Sequence, residues 1–321
     1  MISGEGKLFE LIRCDSDEAW REERRKGIGG SDVAAIMGLS AYSTPYQVWL
    51  DKVQGIHDDI SEKPAVMWGN ILEHIIGEHY AEQHPDRSVR RVNGMMRSIQ
   101  RPWAQASLDY EVRDPELGWG ILECKTAGWR REEDWSEGVP TYYLTQVAHY
   151  LSVTGRPFAD VAVLIAGQDY REYRVMRDEE DIETVNRAVD EFWEMHVESG
   201  VAPSVDAPDN RYVFEAHPEQ GDEYVEVSDA KTADLLNRWV AAKADLDYAK
   251  ERVDELGAKL KGVIGDNKGL ETSTGRLTWN RFERSSFDTK RFRSEHPDMV
   301  KVYTTKKLSD GGLRWKKREE A

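Results

Sequence analysis

Apolar positions in the first two thirds of the chain switch repeatedly between three-to-four spacing and alternation, the pattern of a domain that mixes helices with strands. Ser31 ahead of Val33, Ile36 and Met37, with Gly38 behind them, predicts a short helix that Ser31 caps. A longer helix is predicted from Pro64, seated in its first turn, to about Glu82. Segments of β character follow at Val92 to Ser98, Trp103 to Val112 and Trp119 to Thr126. Pro140 and Gly155 bracket another helix. Val161 to Ile165 reads as a buried strand, Tyr170 to Met176 as its hairpin partner, and Glu179 to Glu198 as a closing helix.

The pattern changes beyond Ala202. Pro203, Pro208 and Pro218 interrupt a stretch rich in acids (Asp206, Asp209, Glu215, Glu219, Asp222, Glu223), which predicts an acidic linker over 203–229 between a domain at 1–202 and a region at 230–321. Leu235, Trp239, Ala242, Leu246, Ala249, Val253, Leu256, Leu260 and Val263 then alternate steps of four and three, a heptad seam ended by Gly265. Such a helix either packs on its own domain or forms a coiled coil with another chain. A small β-rich tail is expected after it, with turns at Ser273-Thr274-Gly275 and Gly311-Gly312, and with cations from Arg281 to Arg318 that include Lys317.

Composition narrows the classes. Of 321 residues, 39% are hydrophobic and 32% charged, enough apolar content for a core and too much for bulk disorder. The longest apolar run, Val161 to Ala166, falls far short of the roughly 20 residues that cross a bilayer. No secretory signal pattern is expected at Met1 to Lys7, and two cysteines, Cys14 and Cys124, build no disulfide framework, so a reducing, cytoplasmic setting is expected. Lys and Arg number 44 against 60 Asp and Glu, a net charge of −16. That argues against a protein that coats nucleic acid indiscriminately, but leaves room for an enzyme with cations confined to a groove and carboxylates committed to metal.

Candidate chemistry lies in the β segments. In Glu123-Cys124-Lys125, strand periodicity puts Glu123 and Lys125 on one face and Cys124 on the other, toward the core. A charged pair on an otherwise apolar strand (Ile121, Leu122) needs partners, and Asp109 on the preceding segment would supply a second carboxylate. Two such acids suit a hard divalent cation that activates water and neutralises charge growing on a phosphate, with Lys125 positioning or deprotonating that water. The alternative is an ordinary surface Glu–Lys pair. Glu73 stands mid-helix between Gly69 and Gly77 at i−4 and i+4, a face opened either for an approaching ligand or for close helix packing. Gln146 and Tyr150, with Tyr142 near them, share a face of the Pro140 helix, while His149 reads as helix surface or support. His74, His79 and His84, five apart, do not converge on one helical face.

A helical Glu, then Asp, then Glu-x-Lys, then Gln-x-x-x-Tyr, in this order, resemble the PD-(D/E)xK nucleases of the phage lambda exonuclease/YqaJ recombinase branch. The most specific parts are Trp20-x-x-x-Arg24 leading into Gly27-Ile28-Gly29-Gly30-Ser31-Asp32, and Trp68-Gly69-Asn70-x-x-Glu73. The likeness spans about residues 18–200; Leu108 replaces the nominal Pro of the motif. It implies an α/β fold, a restriction-endonuclease-like core of mixed central sheet flanked by helices, here with a helical, β-rich C-terminal extension. It further implies Mg²⁺, or alternatively Mn²⁺, bound by Asp109, Glu123 and the Cys124 backbone carbonyl. Glu73 would support a second metal or its waters, Lys125 would handle the nucleophile and Gln146 would orient the site. Arg24 and Ser31 match the family's pocket for a 5′-terminal phosphate, with Tyr150 counted beside them as a DNA contact, and that role also suits a guanidinium fork beside a helix start. The implied activity is 5′→3′ digestion of double-stranded DNA ends to leave 3′ single-stranded tails. The implied setting is phage recombination inside a bacterial host, with a single-strand annealing protein and a ring-like homo-oligomer, a trimer, as partners. Rival readings are a selective endonuclease on the same core, a catalytically idle DNA-binding or adaptor protein, and a coiled-coil interaction protein.

Overall fold

Residues 7–316 are described by a computed structural model of the chain, which divides into two units after Pro218. Met1–Gly6, where the absence of a signal pattern was expected, and Lys317 and Arg318 of the basic tail lie outside the described residues. The first unit runs β1 (Phe9–Ile12), α1 (Asp17–Arg25), α2 (Gly30–Ile36), α3 (Pro45–Trp49), α4 (Pro64–Gln83), β2 (Ser88–Arg91), β3 (Met95–Ser98), β4 (Gln105–Ala106), β5 (Tyr110–Asp114) and β6 (Gly118–Ala127). It continues through α5 (Thr141–Thr154), β7 (Phe158–Ile165), β8 (Asp169–Met176), α6 (Glu179–Phe192) and α7 (Asn210–Ala216).

The central sheet has the order β2-β5-β6-β7-β8. Its neighbours are antiparallel except β6 and β7, which run parallel because α5 carries the chain back between them. Alternation along the strands separates two cores. Leu122, Cys124, Val112 and Ala162 pack with Ile76 and Tyr80 of α4 on one side. Ile121, Val161 and Val163 pack with Val147 and Leu151 of α5 and Val185 and Val189 of α6 in the larger core. The mixed sheet flanked by helices is the fold class expected from the sequence.

Several boundaries move. Trp103 to Val112 is two strands rather than one: β4 pairs with β3 in a separate sheet of order β1-β3-β4, and β5 pairs with β6. Asp109 sits at this crossing, its carbonyl accepting from the Val92 amide at 3.1 Å. Ser31 is not the cap of α2; Gly29 takes that place, and its amide donates to Asp32 Oδ2 at 3.0 Å, the reciprocal bond of a capping box. The first half of the expected linker folds onto the first unit, because the fully buried carboxylate of Asp209 accepts from Thr44 Oγ1 (2.6 Å) and Gln47 Nε2 (2.9 Å). Acids that read as solvated in sequence can serve as anchors when the partners come from a segment far away in the chain.

In the second unit, Asp229 caps α8 (Ala230–Ile264) by accepting from the Thr232 amide, and Gly265 ends it at φ 57°. The seam residues Leu235, Leu246, Val253, Leu256, Leu260 and Val263 are exposed. The expected β-rich tail is a single hairpin, β9 (Gly269–Thr272) with β10 (Gly275–Thr278), followed by two short helices, α9 (Thr289–Glu295) and α10 (Pro297–Tyr303). Around Gly311-Gly312 no strand forms. A lone hairpin lacks the second layer that would extend it.

Candidate active site

Strand periodicity alone places the central pair. With Leu122 and Cys124 committed to the α4 side, Glu123 and Lys125 emerge on the α5 side, where Gln146 of α5 meets both. Lys125 Nζ donates to Glu123 Oε1 (2.6 Å) and to Gln146 Oε1 (3.1 Å). Gln146 Nε2 donates to the same Glu123 oxygen at 2.8 Å and to the Tyr150 hydroxyl at 3.0 Å. One amide thus spans the Glu–Lys pair, using both its acceptor and its donors. Lys125 also sits 4.7 Å from the ring centroid of Tyr143, a contact worth on the order of 1 kcal/mol at a part-buried site. Tyr143, rather than Tyr142, is the aromatic residue here; its i, i+3 relation to Gln146 was the available signal.

Asp109 reaches the cluster by a register step. Tyr110 pairs with Leu122 at the end of the β5–β6 ladder, so Asp109 is the next residue opposite Glu123. Its Oδ2 accepts from the Cys124 amide at 2.8 Å, which fixes the carboxylate against β6. Glu73 approaches from α4 and is held by Arg91 Nη2 at 3.0 Å. Of the two glycines flanking it, Gly77 serves packing: a Cβ there would stand 2.6 Å from the Tyr110 ring. At Gly69 a Cβ would meet only Thr126 Oγ1, at 3.7 Å, so this position leaves space beside Glu73.

The electrostatics are frustrated in one direction. Burial, then the neighbouring Glu123 charge, raise the Asp109 carboxyl well above its usual range; Lys125 offsets this only in part and Glu73 adds to it. Burial likewise raises Glu123 despite Lys125. Burial disfavours the Lys125 charge, but Glu123 and Asp109 outweigh it and hold the ammonium above its ordinary value. Burial and then Asp109 push the Cys124 thiol up, so it stays protonated and neither attacks nor ligates as a thiolate. Glu123 Oε2 is buried with no hydrogen-bond partner.

That orphaned oxygen, amid carboxylates that repel one another, fits a bound divalent cation: added positive charge would satisfy Oε2 and lower both acids together. Among the described residues, no three His, Cys, Asp or Glu side chains form a ready cage. The donor set is instead open, two carboxylates plus backbone and solvent oxygen. Such a set suits a hard cation that keeps some of its waters.

A second cluster adjoins the first. Arg24 of α1 donates from Nη2 to Ser31 Oγ at 2.6 Å and to Asp32 Oδ1 at 3.2 Å, and its guanidinium lies 5.7 Å from the Trp20 ring. Lys52, which sequence reasoning missed, has a fully covered side chain with Nζ 2.9 Å from Asp32 Oδ2. Burial opposes ionisation of Asp32, yet Lys52 and then Arg24 hold its carboxyl down at about 2. Lys52 carried no local signal, since its role exists only where the turn at Leu50–Gln54 meets α2. Gly30 binds the two clusters together: a Cβ there would overlap the Tyr150 ring and stand 2.8 Å from Gln146 Cγ, so only glycine lets α2 approach α5 this closely. His149 is buried, not surface, with Nε2 3.1 Å from the Ile28 carbonyl and 3.0 Å from that of Gln105.

Residues 19–157 match the family described as the YqaJ-like viral recombinase domain. The chain is 29% identical over 301 residues to the uncharacterized protein YqaJ of Bacillus subtilis, covering 91% of this chain and 93% of that protein. The resemblance drawn from the motifs is thereby borne out, and it extends into the C-terminal third. Among solved structures, the alkaline exonuclease LHK-Exo of Laribacter hongkongensis aligns with a TM-score of 0.47 at 20% identity, over 63% of this chain and 98% of that one. A phage-related exonuclease of Haemophilus somnus aligns at 0.39 and 12% identity, over 54% and 96%. No helix among the described residues is long and apolar enough to cross a membrane.

Proposed function

We propose that the protein is a divalent-metal-dependent deoxyribonuclease that digests linear duplex DNA from its 5′ ends and leaves 3′ single-stranded tails. The observation that carries the reading is the Asp109–Glu123–Lys125–Gln146 cluster, with the buried Glu123 Oε2 unpartnered inside it. In this reading Asp109, Glu123 and the Cys124 backbone carbonyl hold Mg²⁺, with Mn²⁺ as the alternative, and Glu73 supports a second ion or its waters. The ion supplies an acidified water and charge neutralisation at phosphorus. The chain's own groups do the positioning. Lys125, charged and held by Glu123 and Gln146, presents its ammonium to the anionic phosphate and the attacking oxygen. Gln146 keeps Glu123 Oε1 occupied, which leaves Oε2 for the ion. Tyr150 supports the Gln146 amide from behind.

Polarity rests on the neighbouring cluster. Arg24 and Ser31 offer a guanidinium and a hydroxyl to a terminal phosphate, and Gly30 sets that pocket against Gln146 and Tyr150. A 5′-phosphate held there would place a nearby phosphodiester at the carboxylates. The match to the YqaJ-like viral recombinase domain supports a role in phage-type recombination in the cytoplasm of a bacterial host, beside a single-strand annealing protein. A ring-like homo-oligomer, a trimer, would confine cations to a lumen and reconcile DNA binding with a net charge of −16.

The test is digestion of linear duplexes that carry 5′-phosphate or 5′-hydroxyl ends, each strand labelled in turn, beside a covalently closed circle. The 5′-phosphorylated strand should be consumed and the circle spared; cutting of the circle selects an endonuclease. Asp109→Ala and Lys125→Ala should each abolish cleavage in folded protein, and metal-dependent activity retained by either removes the assignment.

A further inference from the structure

Beyond Lys125, β6 runs into a loop, residues 128–139, that none of the proposed chemistry uses. Trp135 anchors it. That side chain is fully buried, its ring lies 5.5 Å from Tyr143 and 5.9 Å from Tyr173, and its carbonyl accepts from the Tyr173 hydroxyl at 2.6 Å. Tyr143 is the residue whose ring lies beside the Lys125 ammonium, so the loop is tied to the catalytic cluster through one aromatic contact. Trp129, in the same loop, is 70% exposed, with the Arg130 guanidinium 5.1 Å from its ring centroid.

An indole left in water costs burial energy unless something covers it, and this one is held on a fixed frame rather than a floppy tip. Trp129 lines an open depression of about 520 Å³ together with Arg130, Glu132, Glu133, Ser136 and Arg171. The charges around it are mixed, two arginines with two glutamates. Glu132 lies 3.5 Å from Arg171, and Arg131 bonds Asp134 at 3.2 Å. Carboxylates beside a π-face repel a phosphate but accept from the amino groups on a nucleobase edge, whereas Arg130, its guanidinium beside the indole, suits the backbone.

We infer that the depression at Trp129 receives an unpaired base of single-stranded DNA, stacked on the indole and facing the Glu132 and Glu133 carboxylates, with the strand backbone at Arg130. The inference rests on the nuclease reading for its biological sense, since a 5′→3′ digest leaves a single strand beside the cleavage site. The site takes single strands through their bases; a duplex presents no free π-face to it.

The experiment measures binding of a fluorescent oligodeoxycytidylate to the full chain in EDTA, by anisotropy, for wild type, W129F and W129L. An abasic strand of equal length serves as the control. Trp129 is exposed, so neither substitution threatens folding. W129L should weaken oligonucleotide binding about tenfold, W129F should stay close to wild type, and the abasic strand should bind weakly and alike to all three. In cleavage, W129L should raise KM and leave kcat nearly unchanged. Equal binding by W129L and wild type, or equal weakening by W129L and W129F, overturns the inference and points to a protein partner or a bare surface. A wild type that binds through Trp129 yet never cuts linear duplex would sink the nuclease reading and leave the base site standing. Efficient cutting with an indifferent Trp129 does the reverse.

Discussion

The central sheet carries two clusters of buried acids and bases, and they are balanced in opposite ways. Away from the candidate site, Asp160 accepts from both Arg174 Nε (2.7 Å) and Nη2 (2.8 Å), from Arg87 at 3.1 Å and from the Tyr80 hydroxyl. Arg174 also donates to Asp114 at 2.9 Å. The Glu116 amide first, and Arg174 among the further donors, hold the Asp114 carboxyl down at about 2. Guanidinia match carboxylates there, and the fork geometry satisfies each charge. Around β6 the carboxylates of Asp109 and Glu123 are raised instead, and Glu123 Oε2 has no partner. Burial is the leading cause at Asp109 and Glu123, whereas at Asp114 the donors outweigh it. The two places differ in burial and in how much positive charge the chain supplies, and the shortfall around β6 is what the proposed cation would make good.

Substitution should separate the clusters most sharply. Glu123→Gln should lower cleavage by on the order of a thousandfold, the scale of removing a principal electrostatic group. It should change the thermal midpoint little, because relieved repulsion with Asp109 offsets the weakened pairing of Lys125. Asp160→Ala should do the opposite, destabilising by about 3–5 kcal/mol as Arg174 and Arg87 lose the carboxylate they share and keep only Asp114, with activity retained at temperatures where the protein stays folded. Denaturant melts of the two variants beside their cleavage rates test the contrast. It fails if Glu123→Gln proves the more destabilising.

A smaller effect belongs to His149 of α5, buried against the carbonyls of Ile28 and Gln105. Burial first, then Arg101, lower its pKa to about 4 from an ordinary 6.5. The folded state thus refuses a proton that the unfolded chain accepts. Its contribution is complete above about pH 6.5 and is lost as pH falls toward 4, amounting to about 3 kcal/mol over that window. Stability measured across this range should show a steep acid limb that His149→Gln flattens. An unchanged limb would assign the acid sensitivity elsewhere.

The smallest pair tests the two glycines beside Glu73. Gly77→Ala should destabilise by roughly 1–3 kcal/mol, since its methyl group meets the Tyr110 ring. Gly69→Ala should stabilise α4 by up to about 1 kcal/mol, the helix propensity gained where space is open. Reduced cleavage in a stabilised Gly69→Ala protein would show that the space beside Glu73 is used by substrate.

Much of the site was legible because it depends on local rules. The period of a strand put Glu123 with Lys125 and turned Cys124 inward, and helix spacing put Gln146 over Tyr150. Pro140 and Gly155 marked α5, with Gly155 at φ 67° as a left-handed stop. Less legible were the residues whose role needs a distant partner. The break at Asp109 comes from two sheets sharing one segment. The burial of Lys52 and Asp209 comes from ion pairs and hydrogen bonds with residues on other elements, and no periodicity announces those. His149 read as surface because a polar residue on a helix usually is; two backbone carbonyls from Ile28 and Gln105 turned it inward.

The order of elements, the faces of β6 and the identity of the acids followed from sequence, since backbone geometry imposes those periods on any chain of this pattern. Only the folded chain decided which acids would be neutralised. That outcome depends on whether a guanidinium or an ammonium from elsewhere arrives within a few ångströms, and electrostatic energy falls off with a distance that sequence separation does not encode.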